Sequence, residues 1–300
     1  MPRRRLPHPT PLDGIGTLAS KQVLADPALR RRDGWIAYAT RTGQGPATIV
    51  ITAHDRALEA EAWGSGADSL LARLPALVGL EDAGAEGFAP EVEPLRSLRR
   101  RHPGLRIPRT GAVLEALVPA ILGQKVLGKE ASWSYERLTR AHGEPAPGPA
   151  ELGLRLPPQP DTLAELGYES FHPFGIERRR AELIRLVAKR RHRLEEIAAM
   201  ELATARQRLL SIRGIGEWTA ALVLRTACGD ADAVPVGDYN LPALVAWNLA
   251  GERRADDTRM LELLEPWRGH RARVIQLLHT GGTKPPRRGP RLPFRSIERE

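Results

Sequence analysis

The chain has 300 residues, of which 42% are hydrophobic, and a formal net charge of +9. The apolar content excludes broad disorder, and the length predicts two or three domains. The single cysteine, Cys228, excludes an internal disulfide and any iron–sulfur cluster or zinc site held by four thiolates.

The basic charge balance favours a polyanionic partner such as nucleic acid, the alternative being a merely solvated basic surface. No apolar run approaches the roughly 18 residues that a membrane span requires, and no apolar segment follows the basic N-terminus. We therefore expect a cytoplasmic protein that does not enter a membrane.

The first third of the chain is predicted to carry a small sheet. Residues 1–13 are predicted to be a basic, disordered N-terminus. Strands are predicted at 34–42, 47–53 and 57–63, because these segments are rich in β-branched or aromatic residues or alternate in hydrophobicity. Helical periodicity begins at Ser69. The basic segment 95–110 is interpreted as a connector, so that a β-sheet/α domain covers 14–105.

The region 106–283 shows helical patterns. Residues 111–139 are predicted to form two helices that meet at a glycine-containing bend over 122–128. Further helices are predicted at 161–167, 176–191, 194–210, 241–250 and 266–279. The last segment, 284–300, is rich in Pro and Arg, which predicts a disordered basic tail.

A glycine elbow lies between two apolar helical runs at 209–220. Its pattern h-x-x-h-x-G-h-G-x-x-x-A is formed by Leu209, Ile212, Gly214, Ile215, Gly216 and Ala220. Glycine lets the backbone turn sharply and approach a ligand closely. The helix that starts near Glu217 would direct free N–H groups at a phosphate. Asp238 follows in a loop with Pro and Gly, at 234–239, and this combination suggests chemistry on DNA.

These segments resemble the helix-hairpin-helix DNA glycosylase superfamily, and within it the bacterial 3-methyladenine DNA glycosylase II branch of alkylation repair. The matching residues are AILGQ at 120–124, RGIGEWTA at 213–220, VPVGDY at 234–239 and PWR at 266–268. The resemblance covers about residues 105–282. It implies an α+β fold, with a small N-terminal antiparallel β-sheet domain followed by an all-α helix-hairpin-helix core of two helical subdomains.

The resemblance implies a base-excision repair enzyme that flips alkylated bases of the 3-methyladenine and 7-methylguanine type out of duplex DNA. It would hydrolyse the N-glycosidic bond and leave an abasic site. Asp238 would be catalytic, since a carboxylate stabilises the positive charge that develops on the sugar and orients the attacking water. Alternatively, Asp238 only caps the helix that begins at Asn240 or Leu241; the two roles are compatible.

Position 218 bears on the reaction type. Bifunctional members of the superfamily carry a lysine here, which attacks the sugar and cuts the strand through a Schiff base. The residue in this chain is Trp218. The resemblance therefore implies a monofunctional glycosylase without AP-lyase activity.

The base pocket is expected to contain Trp218 and Tyr239, because cationic alkylated bases are attracted to aromatic faces. Either side chain could instead belong to the core. Two further aromatic positions of the family correspond to Leu222 and Gln276. This departure points to a narrower, bulkier or more polar lesion than the family pattern would suggest.

DNA contacts are expected at the hairpin and at the bend. Amides of Gly214, Gly216, Trp218 and Thr219 would hold a phosphate. The resemblance also implies a monovalent cation held by the carbonyls of Leu210, Ile212 and Ile215. Where the family has an apolar wedge, this chain has Gln124 and Lys125, with Leu127 as the nearest apolar substitute. The arginines at 178–180 and 189–193 are either a solvated face or a further DNA contact.

The leading hypothesis is thus a monomeric enzyme that acts on damaged double-stranded DNA and requires no cofactor. One alternative keeps the reaction and changes the lesion to a deaminated or bulky adducted base. Another is a non-catalytic helix-hairpin-helix DNA-binding module. A metalloenzyme is disfavoured, because the eight histidines show no ligand spacing.

Overall fold

The computed structural model describes residues 1–8, 11–21 and 25–286, and shows an α+β architecture. A five-stranded antiparallel sheet has the order β1-β5-β4-β3-β2. Its strands are β1 (Arg3–Pro7), β2 (Leu29–Arg32), β3 (Trp35–Thr42), β4 (Gly45–Ala53) and β5 (Ala57–Trp63). The three predicted strands are therefore confirmed as β3, β4 and β5, and β1 and β2 are additions at the two edges.

The sheet is covered on both faces, and the residues of β3 show how. Ile36 and Tyr38 point to one side and pack in an apolar cluster with helices from the first 80 residues. Ala37 and Ala39 alternate with them, and pack with Leu154 and Leu156 on the other side. Small side chains on this second face allow the later part of the chain to approach the sheet closely.

The prediction of a disordered N-terminus is wrong for Arg3–Pro7. This segment is the edge strand β1, in register with Ala57–Glu61 of β5. Arg3 forms an ion pair of 2.6 Å with Glu61, and Arg5 lies near Glu59. The basic segment is ordered because acidic side chains alternate on the neighbouring strand, a cross-strand match that the basic composition alone did not reveal.

The helices run in chain order as follows: α1 (Gly14–Ala19), α2 (Ala67–Ala72), α3 (Leu74–Leu77), α4 (Leu95–Arg101), α5 (Val113–Leu122), α6 (Gly128–His142), α7 (Pro160–Glu165), α8 (Arg178–Lys189), α9 (Arg191–Glu195), α10 (Leu202–Leu210), α11 (Glu217–Val223), α12 (Leu241–Ala250), α13 (Asp257–Leu264) and α14 (Arg271–Gly281). A short two-stranded ribbon joins β6 (Glu144–Pro145) to β7 (Arg155–Leu156). Within the described ranges, no helix is long and apolar enough to cross a membrane.

Two apolar clusters divide the helical region. One joins α5, α6 and the helices up to α11. The other joins α4 with α12, α13 and α14. Residues on the N-terminal side of the predicted boundary at 105, such as Phe88, Leu95 and Leu98, thus pack with the C-terminal helices. The basic segment 95–110 begins as helix α4 and continues beyond it without regular secondary structure.

The structure confirms the predicted pair of helices that meet at a bend, which are α5 and α6. It also confirms the predicted helix at 241–250, which is α12. The predicted helix at 194–210 is broken at Met200, whose extended backbone separates a 3-10 turn from α10. The predicted helix at 266–279 begins only at Arg271, because Pro266 and Trp267 belong to a 3-10 turn. Helix α13 was not predicted. Of the predicted tail, residues 287–300 lie outside the described residues.

Candidate nucleic-acid and base-binding site

The hairpin connects α10 to α11 through two glycines with different constraints. Gly214 has φ +101°, and an added Cβ would lie 3.1 Å from Leu183. Gly216 has ordinary backbone angles, and a Cβ there would meet no atom within 4 Å. Gly214 is therefore required by the fold, whereas Gly216 leaves the surface of the hairpin open.

Backbone amides converge at this open surface. Ile215 N donates to Ile212 O at 2.9 Å inside the hairpin. Within the described residues, the amides of Gly214, Gly216 and the first turn of α11 at 217–219 donate to no protein acceptor. Free N–H groups at a helix start, together with the positive end of the helix dipole, form an anion-binding surface.

Gln124 is used within the protein and does not project into a DNA gap. Its Nε2 donates to Gly214 O and to Thr219 Oγ1, both at 3.0 Å. Thr219 is buried, so its predicted DNA contact can involve only its backbone amide. Gln124 thus joins the end of α5 to the hairpin, which the one-dimensional pattern could not show because the partners lie 90 and 95 residues away.

The bend beyond Gln124 is exposed and partly strained. Lys125 is exposed and has φ +57°, the left-handed region that a side chain with Cβ rarely adopts. Leu127 is 37% exposed at the start of α6. Strained non-glycine backbone often marks a functional loop, and this bend lies beside the hairpin through Gln124.

Asp238 is held by both carboxylate oxygens. Oδ2 accepts a hydrogen bond of 3.0 Å from Trp218 Nε1. Oδ1 accepts from the amides of Asn240 at 2.9 Å and Leu241 at 3.0 Å, at the start of α12. The capping geometry that was the alternative to catalysis is therefore present, and it fixes one oxygen while the second faces Trp218.

The indole of Trp218 lies between the hairpin and the end of α5. A Cβ added to Gly123 would be 2.9 Å from Trp218 Cη2, so the glycine makes room for the ring. The indole is half-buried, with one edge on Asp238. Trp218 therefore packs against the protein on one side and remains accessible to a ligand on the other.

An accessible row extends from Trp218 along α11 and its continuation, the π-helical turn Leu224–Cys228. Within 218–227, Trp218, Leu222 and Arg225 are half-buried and every other residue is buried. Leu222 lines a small cavity together with Lys21, Tyr38 and Tyr135. Leu222 therefore lies on the same helix face as Trp218.

Arg225 was not identified from the sequence, although its spacing from Trp218 could have indicated it. Its Nη2 donates to Ser20 O at 3.2 Å, which ties the helix to the N-terminal domain. Burial lowers the pKa of Arg225 to about 10. Burial, and secondarily Arg225, lowers the pKa of His279, while Asp238 acts in the opposite direction.

Two predicted pocket residues lie elsewhere. Tyr239 is 90% exposed, because Asp238 turns inward and its neighbour projects to solvent. Gln276 is buried in α14, where its Nε2 donates to Arg106 O at 3.0 Å beside Phe88 and Arg99. The structure thus corrects both assignments: Tyr239 lies on the outer surface, and Gln276 satisfies a buried backbone carbonyl.

The predicted cation ligands are oriented by the hairpin itself. Ile212 O accepts one hydrogen bond, whereas Leu210 O and Ile215 O accept none within the described residues. Unpaired carbonyl oxygens fit a hard cation. In the described part of the chain, no group of three or more His, Cys, Asp or Glu side chains could hold a metal ion.

Arg180 is buried and donates to Leu122 O, so part of the predicted basic face is structural.

No family model matches the chain. A Mycobacterium tuberculosis protein described as a probable bifunctional transcriptional activator/DNA repair enzyme AlkA is 33% identical over 178 residues, 59% of this chain and 35% of the relative. A putative DNA-3-methyladenine glycosylase of Bacillus subtilis, YfjP, is 25% identical over 177 residues, 58% of this chain and 60% of the relative. The chain thus spans only about a third to three fifths of these relatives' lengths.

Among solved structures, the 3-methyladenine DNA-glycosylase of Archaeoglobus fulgidus superposes with a TM-score of 0.74. It is 22% identical, and the match covers 92% of this chain and 97% of that one. The likeness therefore extends through the N-terminal sheet as well as the helices. The chain is therefore similar in sequence to proteins described as AlkA and as a putative 3-methyladenine DNA glycosylase, and it shares its fold with a solved 3-methyladenine DNA-glycosylase.

Proposed function

We propose that this protein is a monofunctional DNA glycosylase that releases alkylated bases from duplex DNA by hydrolysis of the N-glycosidic bond. The observation that carries the proposal is the fixed carboxylate of Asp238, hydrogen-bonded at 3.0 Å to Trp218 beside an open hairpin. The names of the relatives support the same activity, since they include an AlkA-type repair enzyme and 3-methyladenine glycosylases.

The reaction requires a negative charge where the sugar becomes positive. As the damaged base leaves, the deoxyribose acquires oxocarbenium character, and a nearby carboxylate stabilises it. Asp238 is half-buried, and both of its oxygens are positioned before substrate arrives. The remaining lone pairs would orient water for attack on the sugar.

The absence of an amine at position 218 supports hydrolysis without strand cleavage. An indole nitrogen cannot form a Schiff base with the sugar, and here it is committed to Asp238. We propose that water is the nucleophile and that the product is an intact strand with an abasic site.

Duplex DNA would be held at the hairpin. The free amides of Gly214 and Gly216 and of the first turn of α11 suit a backbone phosphate. The carbonyls of Leu210, Ile212 and Ile215 would hold a monovalent cation, which would neutralise part of that phosphate's charge. We expect no other cofactor, and a monomer acting on one lesion at a time.

Asp238→Asn is the direct test, and the chain offers a matched control. Asp256 has the same helix-capping contact, its side chain accepting from Arg259 N at 2.9 Å, but it lies at α13. Asparagine caps a helix nearly as well as aspartate. We expect Asp238→Asn to lower the single-turnover rate of base release from methylated duplex DNA by about 100-fold or more, with duplex binding retained. Asp256→Asn should leave the rate unchanged.

Each outcome discriminates between the hypotheses. Full activity of Asp238→Asn would remove its catalytic assignment. Tight duplex binding without release of any damaged base would favour a non-catalytic DNA-binding module. Strand cleavage by the wild-type protein without added alkali would contradict a monofunctional mechanism.

A further inference from the structure

The loop between α12 and α13 carries two arginines that have no partner in the protein. Arg253 and Arg254 are both exposed. Within the part of the chain that the structure describes, neither side chain forms an ion pair or a hydrogen bond. The nearby Arg259, by contrast, pairs with Glu252 at 2.7 Å and with Glu262 at 2.9 Å. Arg253 and Arg254 therefore present two unpaired positive charges to the solvent.

A direct hydrogen bond joins this part of the chain to the loop of Asp238. Gly237 N donates to Asp257 Oδ2 at 3.0 Å, and Asp257 is the first residue of α13. Arg254 precedes Asp257 by three residues, so their Cα atoms lie no more than about 11 Å apart. Arg253 is one residue further away. Both arginines therefore lie close to the carboxylate that is proposed to act on the sugar.

The loop of Asp238 is open to solvent on both sides of this residue in the chain. Gly237, Tyr239 and Asn240 are exposed, and Tyr239 is 90% exposed. Along one strand of B-DNA a phosphate occurs every 3.4 Å or so of the helix axis. A sugar that reaches Asp238 therefore brings several phosphates of its own strand to the surface around this loop.

The carboxylates that neighbour the two arginines are already bound by donors of the protein. Glu252 pairs with Arg259. Asp256 caps α13 and accepts from Arg259 N at 2.9 Å, and Asp257 accepts from Gly237 N. The acidic residues of this segment are therefore engaged within the protein, whereas the guanidinium groups of the loop remain available to an anion.

We propose that Arg253 and Arg254 form a second phosphate-binding surface, which holds the backbone of the damaged strand beside Asp238. This rests on the proposed binding of duplex DNA and extends it beyond the hairpin. The hairpin helix contacts Asp238 through Trp218, whereas α13 contacts the preceding Gly237. Phosphate contacts at both places fix the position and orientation of the strand. Arginine suits this role because its guanidinium can donate two parallel hydrogen bonds to one phosphate.

The test measures how salt weakens the binding of duplex DNA. The probe is a fluorescein-labelled duplex of about 30 base pairs, roughly three helical turns, with one tetrahydrofuran abasic analogue that has no base to release. Dissociation constants are measured by fluorescence anisotropy between roughly 50 and 200 mM salt. The proteins are the wild type, Arg253→Gln/Arg254→Gln and Arg253→Lys/Arg254→Lys.

A matched control removes the same number of positive charges elsewhere. Arg3→Gln/Arg5→Gln changes two exposed arginines on the edge strand β1, which lie beside Glu61 and Glu59. The net charge of this control equals that of Arg253→Gln/Arg254→Gln. A difference between the two variants therefore reports on the place of the charges, since a change in overall charge acts on both alike.

We expect Arg253→Gln/Arg254→Gln to reduce the slope of log affinity against log salt concentration by about two. Its Kd near 0.1 M salt should rise about tenfold or more, because two contacts that release counterions are lost. Arg253→Lys/Arg254→Lys should keep the slope, because the positive charges are retained. The control should also keep it. All four proteins should melt at the same temperature, because neither loop arginine bonds to the protein.

An unchanged slope in Arg253→Gln/Arg254→Gln, or an equal reduction in the control, would overturn the second phosphate-binding surface and leave the glycosylase function intact. A lower melting temperature of Arg253→Gln/Arg254→Gln would contradict it as well, because the arginines would then act within the fold. Base release from methylated duplex is measured separately for the wild type. Its absence would remove the proposed function, whereas the salt slopes would still decide the role of the two arginines. If the wild type did not bind the duplex, both would fail.

Discussion

Trp218 donates its indole N–H to Asp238 Oδ2 at 3.0 Å, across twenty residues of sequence. The contact joins the first turn of the hairpin helix α11 to the loop that precedes α12. Asp238 also caps α12 through Oδ1, so the hydrogen bonds of this one carboxylate link the hairpin helix to the start of α12.

The first prediction concerns that hydrogen bond. Trp218→Phe keeps an aromatic ring and removes the donor. A hydrogen bond to a charged group contributes about 1.5–3 kcal/mol, so base release should slow about ten- to hundredfold. Single-turnover kinetics measure this loss. Trp267→Phe is the control, because Trp267 packs edge-on against Phe88 at 6.0 Å in the C-terminal cluster. Equal losses in both variants would show that the effect is one of stability.

The two hairpin glycines should respond differently to alanine. Gly216→Ala fits the free protein, since no atom lies within 4 Å of the added Cβ, but the methyl group would face the approaching phosphate. Duplex binding should weaken about tenfold, by loss of amide contacts, with thermal stability unchanged. Gly214→Ala should instead destabilise the fold, because of its φ of +101° and the contact with Leu183. Thermal melts and duplex titrations at several salt concentrations separate the two effects; intact DNA binding by Gly216→Ala would exclude a phosphate at this surface.

A buried ion pair should hold the N-terminal half to the last helix. Asp82 pairs with Arg273 of α14, both nearly inaccessible, and also accepts from Ile107 N at 2.9 Å. Asp82→Asn leaves a buried guanidinium without its counter-charge and should cost about 3–5 kcal/mol of unfolding free energy. Glu265→Gln removes the exposed partner of Arg268 and should cost less than about 1 kcal/mol. Urea denaturation compares them, and similar values would contradict the importance of burial here.

Glu195 should make stability depend on pH. It accepts from the amides of Val113 and Leu114 at the start of α5, yet burial raises its pKa above the ordinary 4.5. The unfolded chain therefore releases this proton first as the pH rises. The contribution of Glu195 is full below about pH 4.5 and declines as the pH rises through the higher pKa of the folded state. Glu195→Gln should abolish this decline.

The control residue, Glu201, should change the stability with pH in the opposite direction. Glu201 is exposed and accepts from Ala203 N and Thr204 N, and these hydrogen bonds lower its pKa. Its contribution is present above the ordinary pKa and is lost as the pH falls through the lower one. Urea denaturation from pH 3 to 7 should therefore give difference curves of opposite slope for Glu195→Gln and Glu201→Gln. Parallel curves would refute the assignment for Glu195.

The local sequence was sufficient for much of the architecture. Alternating and β-branched segments predicted β3, β4 and β5, and the two glycines with flanking apolar residues predicted the hairpin. These features depend on neighbours a few residues apart, where periodicity and backbone preference act directly. The resemblance carried by short motifs also located Asp238 and Trp218, which the structure brings into contact.

Contacts between residues far apart in the sequence determined the parts of the architecture that local patterns did not predict. Strand β1 is ordered by Glu59 and Glu61, more than fifty residues away. Gln124 is held by the hairpin, Gln276 by the carbonyl of Arg106, and neither partner is visible in the local pattern. Arg225 could be singled out only from the structure, which shows that within 218–227 every residue except Trp218, Leu222 and Arg225 is buried. The sequence by itself thus determined the hairpin and identified Trp218 and Asp238 beside it. The contacts and burial of Arg225 and Gln276 were decided only when folding brought α11 and α14 against the N-terminal part of the chain, because burial and electrostatic environment arise from residues far apart in the sequence.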